Sequence, residues 1–211
     1  MYQPPAFREE RLEVQHAFMR AHPLAMLVTM GRGLAANPVP LVLDPSGGAF
    51  GTLRGHLARA NDQWSTYDPA VECLAIFQGA DGYVTPSWYE TKRETGKVVP
   101  TWNYAVVQAY GRMTAIDDPA WLRAQVDALT RQHESSRAAP WAVTDAPPAF
   151  VAAQLKGIVG IEIEITRIEA KWKLSQNRKA ADIAGVVEGL RADGTPQAQE
   201  LADLVAARRP V

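Results

Sequence analysis

The chain has 211 residues, 47% hydrophobic and 21% charged, with a formal net charge of −1. That is an ordinary globular balance, long enough for one generous domain or a domain with an appendage. It lacks the basic excess with which a nucleic-acid-binding protein neutralises phosphates.

The single cysteine, Cys73, sits in the apolar run VECLAIF, which excludes an intrachain disulfide and reads as a buried thiol. His16, His22, His56 and His133 are scattered, with no cysteine or carboxylate partners at metal-ligand spacing. No apolar run reaches membrane-spanning length, and MYQPPAFREERLEVQ has no apolar signal core, so a cytoplasmic location is expected.

In chain order, FREERLEVQHAFMRAH predicts a helix with Phe7, Leu12 and Phe18 or Met19 on its apolar side, closed by Pro23. LAMLVTMG and LAANPVPLVLD read as strands, and Pro38 and Pro40 make the second an edge or bulged strand. PSGG is a turn, and AFGTLRG is a third strand that runs into Gly55. HLARANDQWSTYDP reads as a short helix beginning near Leu57. VECLAIFQG returns to strand, and ADGYVTPSWYETKRETGKVVP reads as a strand end followed by a mobile loop.

TWNYAVVQAYGRMTAI is the longest predicted strand. Asp117, Asp118 and Pro119 then open the helix PAWLRAQVDALTRQHE. A Pro-rich connector and a brief helix at FVAAQLKGI follow. GIEIEITRIEAKWKL alternates Ile161, Ile163 and Ile165 with Glu162, Glu164 and Thr166, the pattern of an antiparallel strand buried on one face. After SQNRK the remainder reads as two helices broken by ADGTP. Six or seven short strands with few crossover helices predict a small antiparallel barrel.

Four stretches carry the residue types of a ligand site. In GTLRGHLARAN, a predicted strand-to-helix turn sits beside Arg54, His56 and Arg59, which suits either a phosphate site or an ordinary turn with solvated arginines. KLSQNR offers Ser175, Gln176 and Asn177, groups that suit the edge of a heteroaromatic ring or the cap of a helix starting near Lys179. In TPSWYE, Trp88 and Tyr89 suit stacking or core filling. VVPTWNYAVVQAYG places Thr101, Trp102, Asn103 and Tyr104 at the mouth of a strand that would otherwise be plain core. Lys92, Arg93 and Lys97 alternate with Glu90 and Glu94 and read as solvated surface. There is no Gly-x-Ser-x-Gly elbow, Walker loop or Gly-x-Gly-x-x-Gly fingerprint.

Taken together and in this order, LRGHLARAN, YVTPSWYE, VVPTWNYAVVQAYG and KLSQNR resemble the PaiB family of FMN-binding negative transcriptional regulators, from about Pro4 to Arg191. The resemblance implies a β-rich α+β fold, a split antiparallel β-barrel with flanking helices and a helical C-terminus. It implies one domain over 1–211, with 179–211 as a C-terminal helical appendage. It also implies FMN as cofactor, bound in the cleft of a homodimer. By matched motif, His56 and Arg59, and more weakly Arg54, become phosphate contacts. Thr101, Trp102 and Asn103 become ring or ribityl contacts, and Gln176, Asn177 and Arg178 are expected to reach the cofactor.

The resemblance carries the role of transcriptional regulator. An FMN-dependent oxidoreductase acting on a small-molecule substrate, or a flavin redox sensor without turnover, fits the same motifs. The net charge of −1 and the absence of a helix-turn-helix signature lead us to expect indirect regulation, with no tight sequence-specific DNA binding by the protein alone. The local basic patch that would contradict this joins Lys92, Arg93 and Lys97 to Arg208 and Arg209.

Overall fold

The structure, a computed structural model, describes residues 1–208; Arg209 lies outside them. Seven strands form one antiparallel sheet: β1 (Leu24–Met30), β2 (Leu34–Pro40), β3 (Val42–Asp44), β4 (Thr52–Ala58), β5 (Cys73–Val84), β6 (Thr101–Ile116) and β7 (Ile158–Lys173). Their order is β2-β1-β5-β6-β7-β4-β3. The helices are α1 (Leu12–Ala21), α2 (Gln63–Thr66), α3 (Glu90–Thr95), α4 (Pro119–Glu134), α5 (Pro148–Leu155), α6 (Ala180–Asp193) and α7 (Pro196–Ala207). Residues 12–77 and 108–168 form one compact unit; residues 1–11, 78–107 and 169 onward form the other.

In the first of these units, β1 alternates inward Ala25, Leu27 and Thr29 with outward Leu24, Met26, Val28 and Met30. Register with β2 places Pro40, Pro38, Ala36 and Leu34 opposite those outward residues, so every outward pair of this hairpin is apolar. β5 extends the same face, with Ile76 and Leu74 opposite Met26 and Val28. The inward side is tied by Gln63, fully buried, whose Nε2 donates to the Leu27 carbonyl at 3.0 Å and whose Oε1 accepts from Asn37 at 2.9 Å. β4 pairs with β7 over seven residues, with Leu53 and Leu57 and the predicted Ile161, Ile163 and Ile165 buried. α4 begins where its sequence predicts: the Asp118 carboxylate accepts from the Trp121 amide at 2.7 Å, and Pro119 takes the first helical position.

In the second unit, α6 and α7 pack on each other and bury Ile183, Val186, Leu190, Leu201 and Val205. Gly185 and Gly189, one turn apart on α6, admit Trp88; a Cβ at Gly189 would lie 2.2 Å from its indole. Glu9, buried, receives Arg11 and Arg208, each with a nitrogen 2.7 Å from the carboxylate. These cations hold its pKa down at about 2, with the Arg11 hydrogen bond the largest cause.

Four expectations are corrected. The first helix starts at Leu12, and Phe7 belongs to a short 3-10 turn. LAANPVPLVLD is two strands rather than one: β2 and β3 stand at opposite ends of the sheet order, divided at Leu41. The helix expected near Leu57 is strand, because β4 continues to Ala58 against Ile158 of β7 and leaves only four residues to α2. The expected mobile loop after Val84 holds α3, ended by Gly96 at φ 69°. Cys73 is buried as expected, and burial pushes its thiol pKa up to about 12.

Candidate functional site

The predicted site residues fall into two groups, one in each unit. Arg54, His56 and Arg59 lie on or just after β4. Since β4 is strand, its amides from Gly55 to Ala58 lie in the β7 ladder rather than at a helix start, so the site rests on side chains. Arg54 stands opposite Glu162 in register; its Nε donates to that carboxylate at 2.7 Å and its Nη1 to Asp44 at 3.2 Å. His56 Nδ1 is 2.8 Å from Gln125 Oε1, and the Gln125 Nε2 is buried without a hydrogen-bond partner. Arg59 makes a fork with Asp117 at 2.9 and 2.6 Å, and donates further to the Lys156 and Ile158 carbonyls. The pair raises the arginine pKa and lowers that of the aspartate through their hydrogen bonds. Beside it opens an apolar cavity of about 370 Å³, lined by Pro119, Leu122, Ala152 and Leu155.

The second group gathers around the start of β6 and the end of β7. Asn103, 1% exposed, donates from Nδ2 to Ser175 Oγ at 2.9 Å. Ser175 is buried and holds φ 62°, the left-handed region that costs a non-glycine residue energy. Strain of this kind persists where surrounding structure holds it, and here the Asn103 bond does so. Lys173 donates to Thr101 Oγ1 and to the Trp102 carbonyl. With its flanking residues thus anchored, the Trp102 ring stays 54% exposed, edge-on to Tyr83 at 6.0 Å between centroids.

Gln176 serves the backbone: its Oε1 accepts from the Leu174 amide at 2.7 Å, and its Nε2 donates to the carbonyls of Ala6 and Trp172 at 3.0 and 2.6 Å. Asn177 is exposed and Arg178 half-buried. The capping role open to this segment is not used, since Lys179 stands at the N-cap of α6 without a side-chain cap bond.

Tyr89, which the sequence left open between stacking and core, and two lysines that it did not single out complete this group. Tyr89 is fully buried; its hydroxyl has no hydrogen-bond partner of ordinary geometry, although Arg178 and Ser175 flank it. Burial raises its pKa against the opposing pull of Arg178, whose guanidinium lies 4.9 Å from the ring. Lys171, also buried, has its ammonium 5.4 Å from the Tyr104 ring and 5.6 Å from that of Tyr2. Burial depresses the Lys173 pKa, and Lys171 and Arg178 depress it further. Among the described residues, no carboxylate lies within ion-pair distance of Lys171, Lys173 or Arg178. The signal for Lys171 and Lys173 was in AKWKL, where two lysines two apart on a strand share a face.

Comparison with known proteins shows the family of the chain. The family described as "Putative FMN-binding domain" matches residues 1–167. The chain belongs to this FMN-binding family. The protease synthase and sporulation protein PAI 2 of Bacillus subtilis is 31% identical to it, over 97% of this chain and 96% of its own length. An uncharacterised protein of Emericella nidulans is 35% identical, over 99% and 97%. Among solved structures, the flavocytochrome Anf3 of Azotobacter vinelandii shares the fold with a TM-score of 0.52 at 19% identity, covering 79% of this chain and 69% of that one. The FAD and heme binding protein of Mycobacterium smegmatis is similar at a TM-score of 0.52 and 16% identity, covering 78% and 71%.

The fold is thus the split β-barrel of the FMN-binding family and the cofactor is FMN. The residues present fit FMN, which is anionic, flat and hydrogen-bonding along one edge. Trp102 offers an exposed indole and Lys173 donates to its carbonyl, while Arg178, which acts on Lys173, lies over the ring of buried Tyr89. The range matched by the family ends before KLSQNR, whereas the likeness to the Bacillus subtilis protein covers 97% of the chain.

Proposed function

We propose that the protein is a PaiB-type flavoprotein that works as a homodimer and exerts any regulatory effect through its flavin and a partner, not by gripping DNA itself. The observation that carries the flavin reading is the Thr101–Trp102–Asn103 corner, braced by Lys173 and Ser175 so that one indole faces solvent beside unpaired cations. In this reading Thr101, Trp102 and Asn103 meet the ring or ribityl chain, with Arg178 and Asn177 beside them. Gln176 holds the turn that presents them. His56 and Arg59 remain the phosphate candidates that the motif names. The Arg59–Asp117 pair is exposed, where ion pairs are weak, so Arg59 can exchange the carboxylate for a phosphate that binds its fork more strongly. Arg54, held between two carboxylates, is the poorest of the three. Bound FMN supplies hydride or electron transfer; the chain's own residues bind and orient it.

The dimer reading rests on the outward face of β1, β2 and β5. Leu24, Met26, Met30 and Leu34 are exposed there in an unbroken apolar ladder, the kind of patch a partner covers. A second copy suits it because the face is apolar throughout and so complements itself. Indirect regulation is supported by the state of the basic residues. Of the patch that would contradict this, Arg93 pairs with Glu90 and Arg208 with Glu9, which leaves Lys92 and Lys97 as its charges outside ion pairs among the described residues.

The test is made on purified protein. Expected are saturable FMN binding with a perturbed flavin spectrum, a dimer by light scattering, and a monomer for Met26→Lys with Leu34→Glu. Unsaturable FMN uptake or a stable monomeric wild type overturns the corresponding part. NAD(P)H oxidation with added acceptors then separates an oxidoreductase from a sensor without turnover. Nanomolar binding to the protein's own upstream DNA, unmatched by scrambled DNA, would make regulation direct.

A further inference from the structure

Three cations, Lys171, Lys173 and Arg178, close the end of β7 and the turn after it, and among the described residues no carboxylate lies within ion-pair distance of them; the buried Asp182, which acts on the same Tyr89 as Arg178, is committed to the amide and hydroxyl of Thr91. The arrangement is costly by itself. Lys171 is buried against two tyrosine rings. Lys173 is half-buried, with its charged form disfavoured by burial and by both neighbours. Arg178 lies over the Tyr89 ring, whose buried hydroxyl it flanks together with Ser175. Like charges held together in a partly desolvated place lower their energy by gaining negative charge nearby, and the gain grows with that charge.

FMN comes in two stable states that differ in this respect. Adding two electrons and one proton to the oxidised ring system gives a reduced, anionic form with one more negative charge. We propose that Lys171, Lys173 and Arg178 make the site select the reduced, anionic form of FMN over the oxidised form, so that the bound cofactor is held ready as a reductant or as a reporter of reducing conditions. This rests on the reading that the ring sits at the Thr101–Asn103 corner. Thr101, Trp102 and Asn103 would meet either state; the cations hold both states and hold the reduced, anionic one more strongly. Charge near the ring is a principal means by which a protein tunes a flavin.

The experiment compares the midpoint potential of FMN bound to the full-length protein with that of free FMN, with dithionite as the reductant, alongside the dissociation constant of oxidised FMN. Wild type is expected to hold reduced FMN at least tenfold more tightly than oxidised FMN, which for a two-electron couple places the bound potential about 30 mV or more above that of free FMN. Lys173→Gln and Arg178→Gln are each expected to remove about tenfold of this preference, or about 30 mV. Lys173→Arg, which keeps the charge, should retain it. Lys171→Gln tests the buried member, but the two half-buried positions suffice if that variant does not fold.

A bound potential at or below that of free FMN, or one that charge removal leaves unmoved, overturns the proposal while the flavin site stands. Failure of wild type to bind FMN overturns the site reading and this inference with it.

Discussion

Two regions of this protein carry arginines and lysines in similar number and treat them in opposite ways. Along β4 the cations are answered, Arg54 by Asp44 and Glu162 and Arg59 by Asp117, and His56 lies against Gln125. At the end of β7 Lys171, Lys173 and Arg178 have aromatic rings and hydroxyls as neighbours and no carboxylate within ion-pair distance among the described residues. A cation already paired must exchange its partner to take a ligand, while an unpaired one gains a partner. The difference teaches that the number of basic residues in a motif says little about its capacity for an anion until the opposite strand is known.

The largest test of this contrast removes the unpaired charge. Lys173→Ala with Arg178→Ala is expected to weaken oxidised FMN about a hundredfold, since charge-assisted bonds are worth roughly 1.5–3 kcal/mol each. A fluorescence titration that matches wild type would erase the contrast.

Next in size is the exception within the second unit, Glu9, a buried carboxylate that two arginines do answer. Its folded pKa of about 2 lies below the ordinary 4.5, so its stabilisation is complete above pH 4.5 and is lost as pH falls toward 2. Allowing for the exposure of Arg11, about 2 kcal/mol is at stake. Urea unfolding at pH 6, 4 and 2.5 should show that loss in wild type, while Glu9→Gln should be weaker at pH 6 and flatter across the series.

On β4, His56→Ala with Arg59→Ala should weaken FMN about tenfold; an unchanged affinity rejects β4 as the phosphate site. The smallest effect is the most pointed. Asp117→Asn removes the competitor of the phosphate and should tighten FMN about two- to threefold with little change in melting temperature. A weakened affinity would mean that Asp117 orients Arg59 for the ligand instead of competing with it.

The sequence made some of this legible and not the rest, for physical reasons. α4 could be read to its first residue because Asp118 and Pro119 are local signals for a helix start. β7 could be read because one buried face imposes alternation. HLARA was misread because its residues favour helix, and pairing of His56, Leu57 and Ala58 with three residues of β7 overrides a weak local preference. α3 was hidden in a stretch whose charges look like loop. The Thr101–Asn103 corner stood out as polar and aromatic residues at a strand mouth. The neutralisation of Arg54 was invisible because it depends on the register that sets Glu162 opposite it. The isolation of Lys171 and Lys173 was hidden for a related reason: sequence shows where carboxylates occur, but not which cations they fail to reach.

The single residue between β2 and β3 has a consequence for the sheet. These strands are first and last in its order, yet Leu41 alone separates Pro40 from Val42. Leu41 is buried, and its amide donates to the Pro23 carbonyl at 2.9 Å. A row of hydrogen bonds can fray or slip by two residues, whereas a peptide link cannot. The two margins are therefore stitched covalently at one point, and the placement of either constrains the other. Exposed margins are where sheets recruit foreign strands, and a stitch this short leaves neither margin free to swing out and do so independently.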